Sequence, residues 1–188
     1  MRLLLIGPPG AGKGTQAEIL SRILGVPHIS TGDLFRDQVG RRTPLGREAA
    51  RFLDAGELVP DRVTTDMVRH RLGEPDAERG FLLDGYPRTV PQAQALSSVL
   101  AAGGTTLDAV LELTAPEDVL VDRLLARGRP DDTEDLVRHR RRIHHRRTVP
   151  VLGHYAGLVR TVEAVGTVED ITARILTALG LPESVSTR

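Results

Sequence analysis

The 188-residue chain lacks several residue types that mark particular classes of protein. It contains neither cysteine nor tryptophan, and aromatic residues make up only 3% of it. Without cysteine there can be neither disulfides nor a thiolate zinc site. Acidic side chains and the lysine and arginine side chains each number 25, so the formal charge is zero. Overall charge therefore gives no attraction to nucleic acid or to a membrane surface.

Long apolar segments are also missing. No stretch approaches the ~18 uncharged apolar residues of a membrane-spanning helix, and the run from Leu3 to Ile6 is too short for the core of a signal peptide. We therefore expect a cytosolic chain without a membrane or nucleic-acid partner. The length allows one sizeable core, and the absence of a large apolar stripe favours a monomer.

Lysine is nearly absent, although basic residues are common. Lys13 is the only lysine among the 25 lysines and arginines. A compact ammonium on a flexible stem suits phosphate binding in a tight loop better than a planar guanidinium does. Lys13 also completes the spacing G-x-x-x-x-G-K that is typical of a phosphate-binding loop. The alternative interpretation is an ordinary glycine-rich turn.

The context of Lys13 favours the phosphate-binding loop. The apolar run 3–6 predicts a buried strand before the glycines, and apolar spacing predicts a helix over residues 13–24 after them. In this order the loop N–H groups and the helix N-terminus face an anion, and the lysine can reach its outer phosphates.

The rest of the pattern predicts an α/β fold in a single domain. Short apolar segments predict further strands over residues 26–29, 81–83, 109–113 and 161–165. Helices are predicted over residues 64–72, 91–102, 116–127, 134–147 and 168–179. Such alternation is typical of a parallel sheet flanked by helices.

Two segments fit the sheet poorly, and we expect both to be inserts at its C-terminal edge, where such sheets bind ligands. The first is 30–59, which opens with Ser30 and Asp33 in the spacing of a helix cap. Alone, that spacing indicates no more than the start of a helix. The second is 127–136, which alone would be interpreted as a polar surface loop.

Asp84 ends a predicted strand and would lie near the phosphate loop. A carboxylate there can hold the hydration shell of a Mg²⁺ that bridges two phosphates of a nucleotide. The alternative is a structural aspartate in the turn before Gly85.

The basic stretch 138–147 allows three interpretations. It fits a solvated helix face or a nucleic-acid patch, but one arginine differs from the others. Arg140 lies four residues after Leu136 and three before Ile143, so it shares a helix face with both apolar side chains. An inward guanidinium needs an anion, and a phosphate would serve.

Five short motifs lie in order along nearly the whole chain. They are GPPGAGKGTQA at 7–17, STGD at 30–33, DAGELVPD at 54–61, GFLLDGYPRT at 80–89 followed by Gln92, and RGRPDD at 127–132. Together they resemble the short-lid form of the adenylate kinase family. The resemblance implies a P-loop NTPase-type parallel five-stranded sheet, with an AMP-binding insert at 30–59 and a lid at 126–136. The core would then comprise 1–29, 60–125 and 137–188.

The resemblance also implies an activity, reversible in-line transfer in which MgATP and AMP give two ADP. Mg²⁺ would be the cofactor, and zinc is not expected because the long lid of zinc-containing relatives is missing. The acceptor is a phosphate oxygen that is already ionised near neutral pH, so no general base is required. Catalysis then depends on positioning and charge stabilisation.

Roles for individual residues follow from the same resemblance. ATP would be bound by Gly10, Ala11, Gly12, Lys13, Gly14, Thr15, Arg123, Arg127 and Gly166. AMP would be bound by Thr31, Arg36, Glu57, Leu58, Val59, Gly85, Tyr86, Pro87, Arg88 and Gln92, with Arg36 and Arg88 on its phosphate and Gln92 on adenine. Arg129 and Arg140 would close on the reacting phosphates, Asp131 and Asp132 would latch the lid, and Asp84 would hold Mg²⁺ through water.

Two competing functions remain open at this point. A UMP/CMP kinase would share the loop and the arginines, but such relatives tend to carry alanine and asparagine where this chain has Thr31 and Thr89. A non-catalytic nucleotide switch would leave Arg36, Arg88 and Gln92 without a role. The chain also departs from the family at His144 on the lid side, where similar enzymes more often have tyrosine.

Overall fold

A computed structural model describes residues 1–128 and 133–182. Within these ranges the strands form one five-stranded sheet in the order β2-β3-β1-β4-β5, with every pairing parallel. The strands are β1 Arg2–Ile6, β2 His28–Ser30, β3 Phe81–Asp84, β4 Ala109–Thr114 and β5 Val159–Glu163. The predicted α/β fold with a parallel five-stranded sheet is confirmed. Two predicted bounds were wrong: β2 is His28–Ser30 and not 26–29, and β5 is Val159–Glu163 and not 161–165.

Helices lie against the sheet and above its C-terminal edge. They are α1 Lys13–Leu24, α2 Thr31–Gly40, α3 Pro44–Asp54, α4 Asp61–Leu72, α5 Val90–Ala102, α6 Glu117–Arg127, α7 Glu134–Ile143, α8 Val149–His154 and α9 Val168–Ala178. A 3₁₀ turn at Pro75–Ala77 and a π-helical turn at His144–Thr148 complete the described elements. None of the described helices is both long and apolar enough to cross a membrane.

The central strand β1 divides the core between the two faces of the sheet. Leu3 and Leu5 pack with α1 and α9 on one face, whereas Leu4 and Ile6 pack with residues of α4, α5 and α8 on the other. Successive side chains of a strand point to opposite faces, so a continuous apolar run is needed where both faces are covered. This burial fixes the strand whose end carries the glycine loop.

The loop between β1 and α1 depends on two glycines in the left-handed region. Gly10 has φ +88°, and a Cβ there would lie 2.4 Å from the carbonyl oxygen of Leu120. Gly12 has φ +84° and forms the N-cap of α1. Residues with a side chain rarely adopt these angles, so the glycines allow the tight turn that places Lys13 at the first position of the helix.

The segment between β2 and α4 is a pair of helices with a small core of its own. Phe35 of α2, Ala49 of α3 and Val59 form that core. Ser30 caps α2 by accepting a hydrogen bond from the Asp33 N–H at 3.2 Å, as its spacing predicts. The two helices approach closely at Gly46, where a Cβ would lie 2.0 Å from the Gln38 carbonyl oxygen.

The predicted helix over 134–147 was wrong after Ile143. From His144 the chain forms a π-helical turn, in which the Val149 N–H donates to the His144 carbonyl five residues back. Pro150 has no N–H and cannot continue an α-helical pattern from the preceding turn. The Thr148 hydroxyl also donates to the Arg88 carbonyl at 3.2 Å, which ties this turn to the end of β3.

Gly46 gives a first prediction, because the backbone of α2 occupies the space that a side chain would need. We expect Gly46→Ala to lower the free energy of unfolding by about 1–3 kcal/mol, measured by urea unfolding followed by circular dichroism. Gly40→Ala is the matched control, since a Cβ at Gly40 would meet nothing within 4 Å, and it should be at least as stable as the parent. Equal unfolding midpoints for the two variants would contradict the close approach.

Candidate active site

A cleft of about 630 Å³ opens above the C-terminal edge of the sheet, between the helical pair α2–α3 on one side and α6, α7 and the π-helical turn on the other. Residues from widely separated motifs line it. Among the predicted site residues these are Gly10, Gly12, Lys13, Gly14, Thr15, Arg36, Glu57, Leu58, Asp84, Gly85, Pro87, Arg88, Arg123, Arg127, Arg140 and Gly166. The fold therefore gathers at one place most of the residues that the motifs suggested.

The other predicted residues lie elsewhere. Thr31, Val59 and Gln92 line a small adjoining cavity that shares Gly85 and Arg88 with the cleft. Ala11 and Tyr86 are buried in the core beneath the cleft. The predicted lid residues Arg129, Asp131 and Asp132 lie outside the described ranges.

The Lys13 side chain is held by backbone carbonyl groups of the glycine loop. Its ammonium Nζ donates hydrogen bonds to the carbonyl oxygens of Gly7 at 2.8 Å and Pro8 at 3.0 Å. These contacts hold the ammonium beside the glycine loop. The loop and the lysine together form a site for an anion.

The charge on Lys13 is unusually easy to remove. Burial lowers the pKa of Lys13 to about 8; Asp84 opposes the shift, whereas Arg88 and Arg127 add to it. A buried ammonium beside two guanidiniums is destabilised by lost hydration and by repulsion. An anion bound here would relieve both effects.

Asp84 provides negative charge at the end of β3. Burial alone would raise the pKa of its carboxyl, but His28, Lys13 and Arg88 hold it below the ordinary value, so the group is ionised. His28 Nε2 lies 3.8 Å from Asp84 Oδ2, too far for a hydrogen bond, and this buried nitrogen has no hydrogen-bond partner among the described residues. An ionised carboxylate beside an unsatisfied polar atom suits a hydrated cation.

Because Gly85 has no side chain, the side chains of Thr31 and Arg88 can approach its backbone. The Thr31 hydroxyl and the Arg88 Nε both donate to the Gly85 carbonyl, at 2.9 Å and 2.8 Å. Gly85 has φ +81°, and a Cβ there would lie 2.7 Å from Thr31 Oγ1 and 3.0 Å from Arg88 Nη2. Only glycine fits this conformation and this spacing without strain.

Arg88 lies where several cations converge. Burial lowers the pKa of its guanidinium from the ordinary value, Asp84 opposes this, and Arg140 and Arg36 add to it. Arg140 lines the cleft, as its helical spacing predicts, and packs near Gly56 of the opposite wall. A phosphate bound between these guanidiniums would offset their repulsion, and its oxygens match their geometry.

At the other end of the cleft, Arg123 and Gly166 flank a wall made by β5 and α9. The Arg123 Nη1 donates to the Ala164 carbonyl at 2.7 Å. Gly166 has φ +107°, and a Cβ there would lie 3.0 Å from Asp170 Oδ2. The guanidinium is thus fixed in position beside an exposed stretch of backbone.

Two residues at or behind the site have no role in the sequence interpretation. His144 lines the cleft because the π-helical turn redirects the chain, and burial lowers its pKa to about 4, with Lys13, Arg88 and His145 adding to the shift. Asp61 accepts one hydrogen bond from Gln92 and one from Thr89. Asp61 is the last residue of the motif at 54–61, so the sequence singled it out. Its partner Gln92 lies far along the chain, so the sequence did not indicate the contact.

Comparisons with known proteins agree with this geometry. Residues 5–159 match the family model described as adenylate kinase. A protein named adenylate kinase from Nocardia farcinica is 59% identical over 180 residues, covering 96% of this chain and 99% of the relative. Proteins of the same name from Rhodococcus erythropolis and Corynebacterium glutamicum are 57% and 56% identical with the same coverage. The chain belongs to the adenylate kinase family.

Adenylate kinases are phosphotransferases, and the reaction of this chain is reversible phosphoryl transfer between ATP and AMP, giving two ADP. ATP, AMP and ADP are accordingly its substrates. The competing assignment as a UMP/CMP kinase is not favoured, since the matched relatives are named adenylate kinase. The predicted family and activity are confirmed.

The low pKa of Lys13 gives a second prediction. In the free protein Lys13 is about half deprotonated at pH 8. Bound phosphates favour the charged form and raise this pKa, so ATP binding at pH 8 should take up about half a proton. The uptake is measured by titration calorimetry without Mg²⁺ in two buffers of different ionisation enthalpy.

Lys13→Arg is the matched control for proton uptake, because arginine stays charged at this pH. The variant should bind ATP with little or no uptake at pH 8. Heats that do not depend on the buffer in the parent protein would show that Lys13 is already fully protonated before the nucleotide binds.

Proposed function

We propose that the cleft binds ATP and AMP on opposite sides of a shared phosphate centre and transfers the terminal phosphoryl group between them in line. The observation that carries this proposal is that Arg36, Arg88 and Arg140 line one cleft from different elements of the chain, and that Lys13 and Asp84 line it too. One phosphate would not require cations from both walls of the cleft. Two nucleotides that meet end to end would.

ATP would lie along the wall that runs from the glycine loop to β5. The N–H groups of Gly10, Ala11, Gly12, Gly14 and Thr15 would surround its phosphates, although the Ala11 side chain itself is in the core. Lys13 and Arg127 would contact the transferring group. Arg123 and Gly166, at the far end of this wall, would lie beside the adenine.

AMP would lie under the helical pair, in the insert at 30–59. Arg36 and Arg88 would hold its phosphate, and Gln92 would contact its adenine in the small cavity. Thr31, Glu57, Leu58, Val59, Gly85 and Pro87 would form the surrounding walls. Tyr86 is buried in the core and would support Gln92 indirectly, since its hydroxyl donates to the Gln92 carbonyl at 3.1 Å.

The chain's contribution to the reaction is positioning and charge. The attacking oxygen of AMP is ionised near neutral pH, so no side chain has to remove a proton. Lys13, Arg88 and Arg140 would stabilise the charge that spreads over the transferring group. A Mg²⁺ held through water at Asp84 would neutralise further phosphate charge when bound.

Water must be kept from the transferring group. We propose that the segment 126–136 closes over the cleft as a lid, with Gly128 as one flexible point because it ends α6 with φ +63°. Arg129 would then contact phosphate, and Asp131 and Asp132 would latch the lid. The monomeric state and the cytosolic location stay predictions.

A panel of acceptors tests the proposed arrangement of substrates. With MgATP as donor, we expect AMP to have the highest kcat/KM among AMP, CMP, UMP and GMP, measured by ADP formation. A preference for CMP or UMP would indicate that the small cavity holds a pyrimidine. No transfer to any of the four would contradict an acceptor site at Arg88.

The ammonium of Lys13 should be needed for catalysis, and its charge alone should not be enough. We expect Lys13→Arg to lower kcat by about 100-fold or more, because a planar fork does not fit a loop shaped around an ammonium. Circular dichroism should show an unchanged fold. Arg62→Lys, at a side chain that is 86% exposed, is the control and should retain parental turnover, whereas near-parental turnover of Lys13→Arg would contradict the assigned role.

A further inference from the structure

Asp61, the first residue of α4, holds two side chains from another part of the chain. Its Oδ1 accepts a hydrogen bond from Gln92 Nε2 at 2.8 Å, and its Oδ2 accepts one from the Thr89 hydroxyl at 2.8 Å. Both oxygens are therefore used, and the carboxylate cannot turn without losing a partner. Asp61 lines neither the cleft nor the small cavity, so it acts through the residues that it holds.

The Gln92 amide is held at both of its ends. Its Oε1 accepts a hydrogen bond from the Arg88 N–H at 2.7 Å, while its Nε2 donates to Asp61. The side chain is only 2% exposed, so water cannot replace either contact. An ionised carboxylate only accepts hydrogen bonds and a backbone N–H only donates them, so the partners determine which end of the amide is oxygen and which is nitrogen.

The opposite orientation of this amide would be unfavourable at both ends. Rotation by a half turn would place the amide oxygen against the Asp61 carboxylate and the amide nitrogen against the Arg88 N–H. Two acceptors and two donors would then face each other in a buried site, which costs far more than an ordinary hydrogen bond contributes.

We propose that Asp61 determines which nucleobase the acceptor site takes, by fixing the orientation of the Gln92 amide. The proposal rests on the proposed placement of AMP, with its adenine at Gln92. In the fixed orientation the amide keeps one N–H and one oxygen lone pair for the base. These match a ring nitrogen that accepts and an exocyclic amine that donates, which is the edge of adenine.

The same argument separates the nucleotides by the polarity of their edges. Hypoxanthine and uracil present a ring N–H beside a carbonyl oxygen, the reverse of adenine, and would need the rotated amide. Cytosine presents a ring acceptor beside an amine, as adenine does. The orientation fixed by Asp61 therefore discriminates against IMP and UMP through polarity, and it discriminates against CMP only through size.

Asp61→Asn tests the proposal because it keeps the shape of the side chain and adds an N–H. That group can donate to the amide oxygen of a rotated Gln92, so rotation becomes less unfavourable, although the Arg88 N–H still opposes it. We expect the kcat/KM of IMP and of UMP, each relative to AMP, to rise about 10-fold. The ratio of CMP to AMP should stay within about 2-fold of the parent.

AMP, IMP, UMP and CMP are each assayed as acceptors with MgATP, on one preparation of each variant. Ratios of kcat/KM do not depend on the fraction of active molecules, so a loss of stability does not obscure the result. Asp66→Asn is the matched control, since Asp66 is on the same helix, is 53% exposed and pairs with Arg69. It should leave all three ratios at parental values.

Thr89 supplies a second pair of variants. Thr89→Val removes the hydroxyl that donates to Asp61 Oδ2 and lets the carboxylate move away from Gln92. The Gln92 amide is then held less firmly, so we expect a smaller rise in the IMP and UMP ratios than in Asp61→Asn. Thr89→Ser keeps the hydroxyl, and with it the cap that accepts from the Gln92 N–H, and should restore the parental ratios.

The possible outcomes distinguish the role of Asp61 from the proposed placement of AMP on which it rests. Unchanged ratios in Asp61→Asn, with AMP still the preferred acceptor of the parent, would overturn the role of Asp61 and leave the proposed substrate arrangement intact. A rise for CMP equal to that for IMP would also overturn it, because the site would then only have widened. A parent protein that transfers to none of the four would overturn the substrate arrangement itself.

Discussion

Repulsion between the cations that line the cleft is the constraint around which the site is built. Loss of hydration lowers the pKa of both Lys13 and Arg88, and the Arg88 charge lowers that of Lys13 further. Such repulsion costs free energy, which the apolar packing of β1 on both faces offsets. In the proposed arrangement, anionic nucleotides would reduce the repulsion, so that part of this free energy is recovered when they bind.

The two walls of the cleft meet above this charge centre. His139 Nε2 of α7 lies 2.7 Å from Glu57 Oε1 of the insert, and Arg140, the next residue of α7, lies close to Gly56. Both walls thus approach through residues that border the cleft. In the proposed arrangement, such contacts would let substrate on one side influence the position of the other wall, since each wall carries arginines for the shared phosphates.

Behind the residues that face the cleft, a layer of polar contacts sets their positions. The backbone of Arg88 is held at its N–H by Gln92 and at its carbonyl by Thr148. Gln92 is in turn held by Asp61. Because these groups are buried and satisfied, a small displacement of one of them would leave an unpaired polar atom. The precision of the site therefore depends on residues that the substrates do not touch.

Local sequence determined the glycine loop, helix α1, the apolar strands and the inward position of Arg140, because each depends on spacing among near neighbours in the chain. The cap spacing indicated only the start of α2, and α3 was not predicted, since the small core of the two helices is formed only when they pair at Gly46. Tertiary structure alone decided the strand order, the turn that brings His144 into the cleft, and the contact of Asp61 with Gln92. These features join residues far apart in the chain, and the free energy that favours them comes from packing and burial, which a local pattern does not contain.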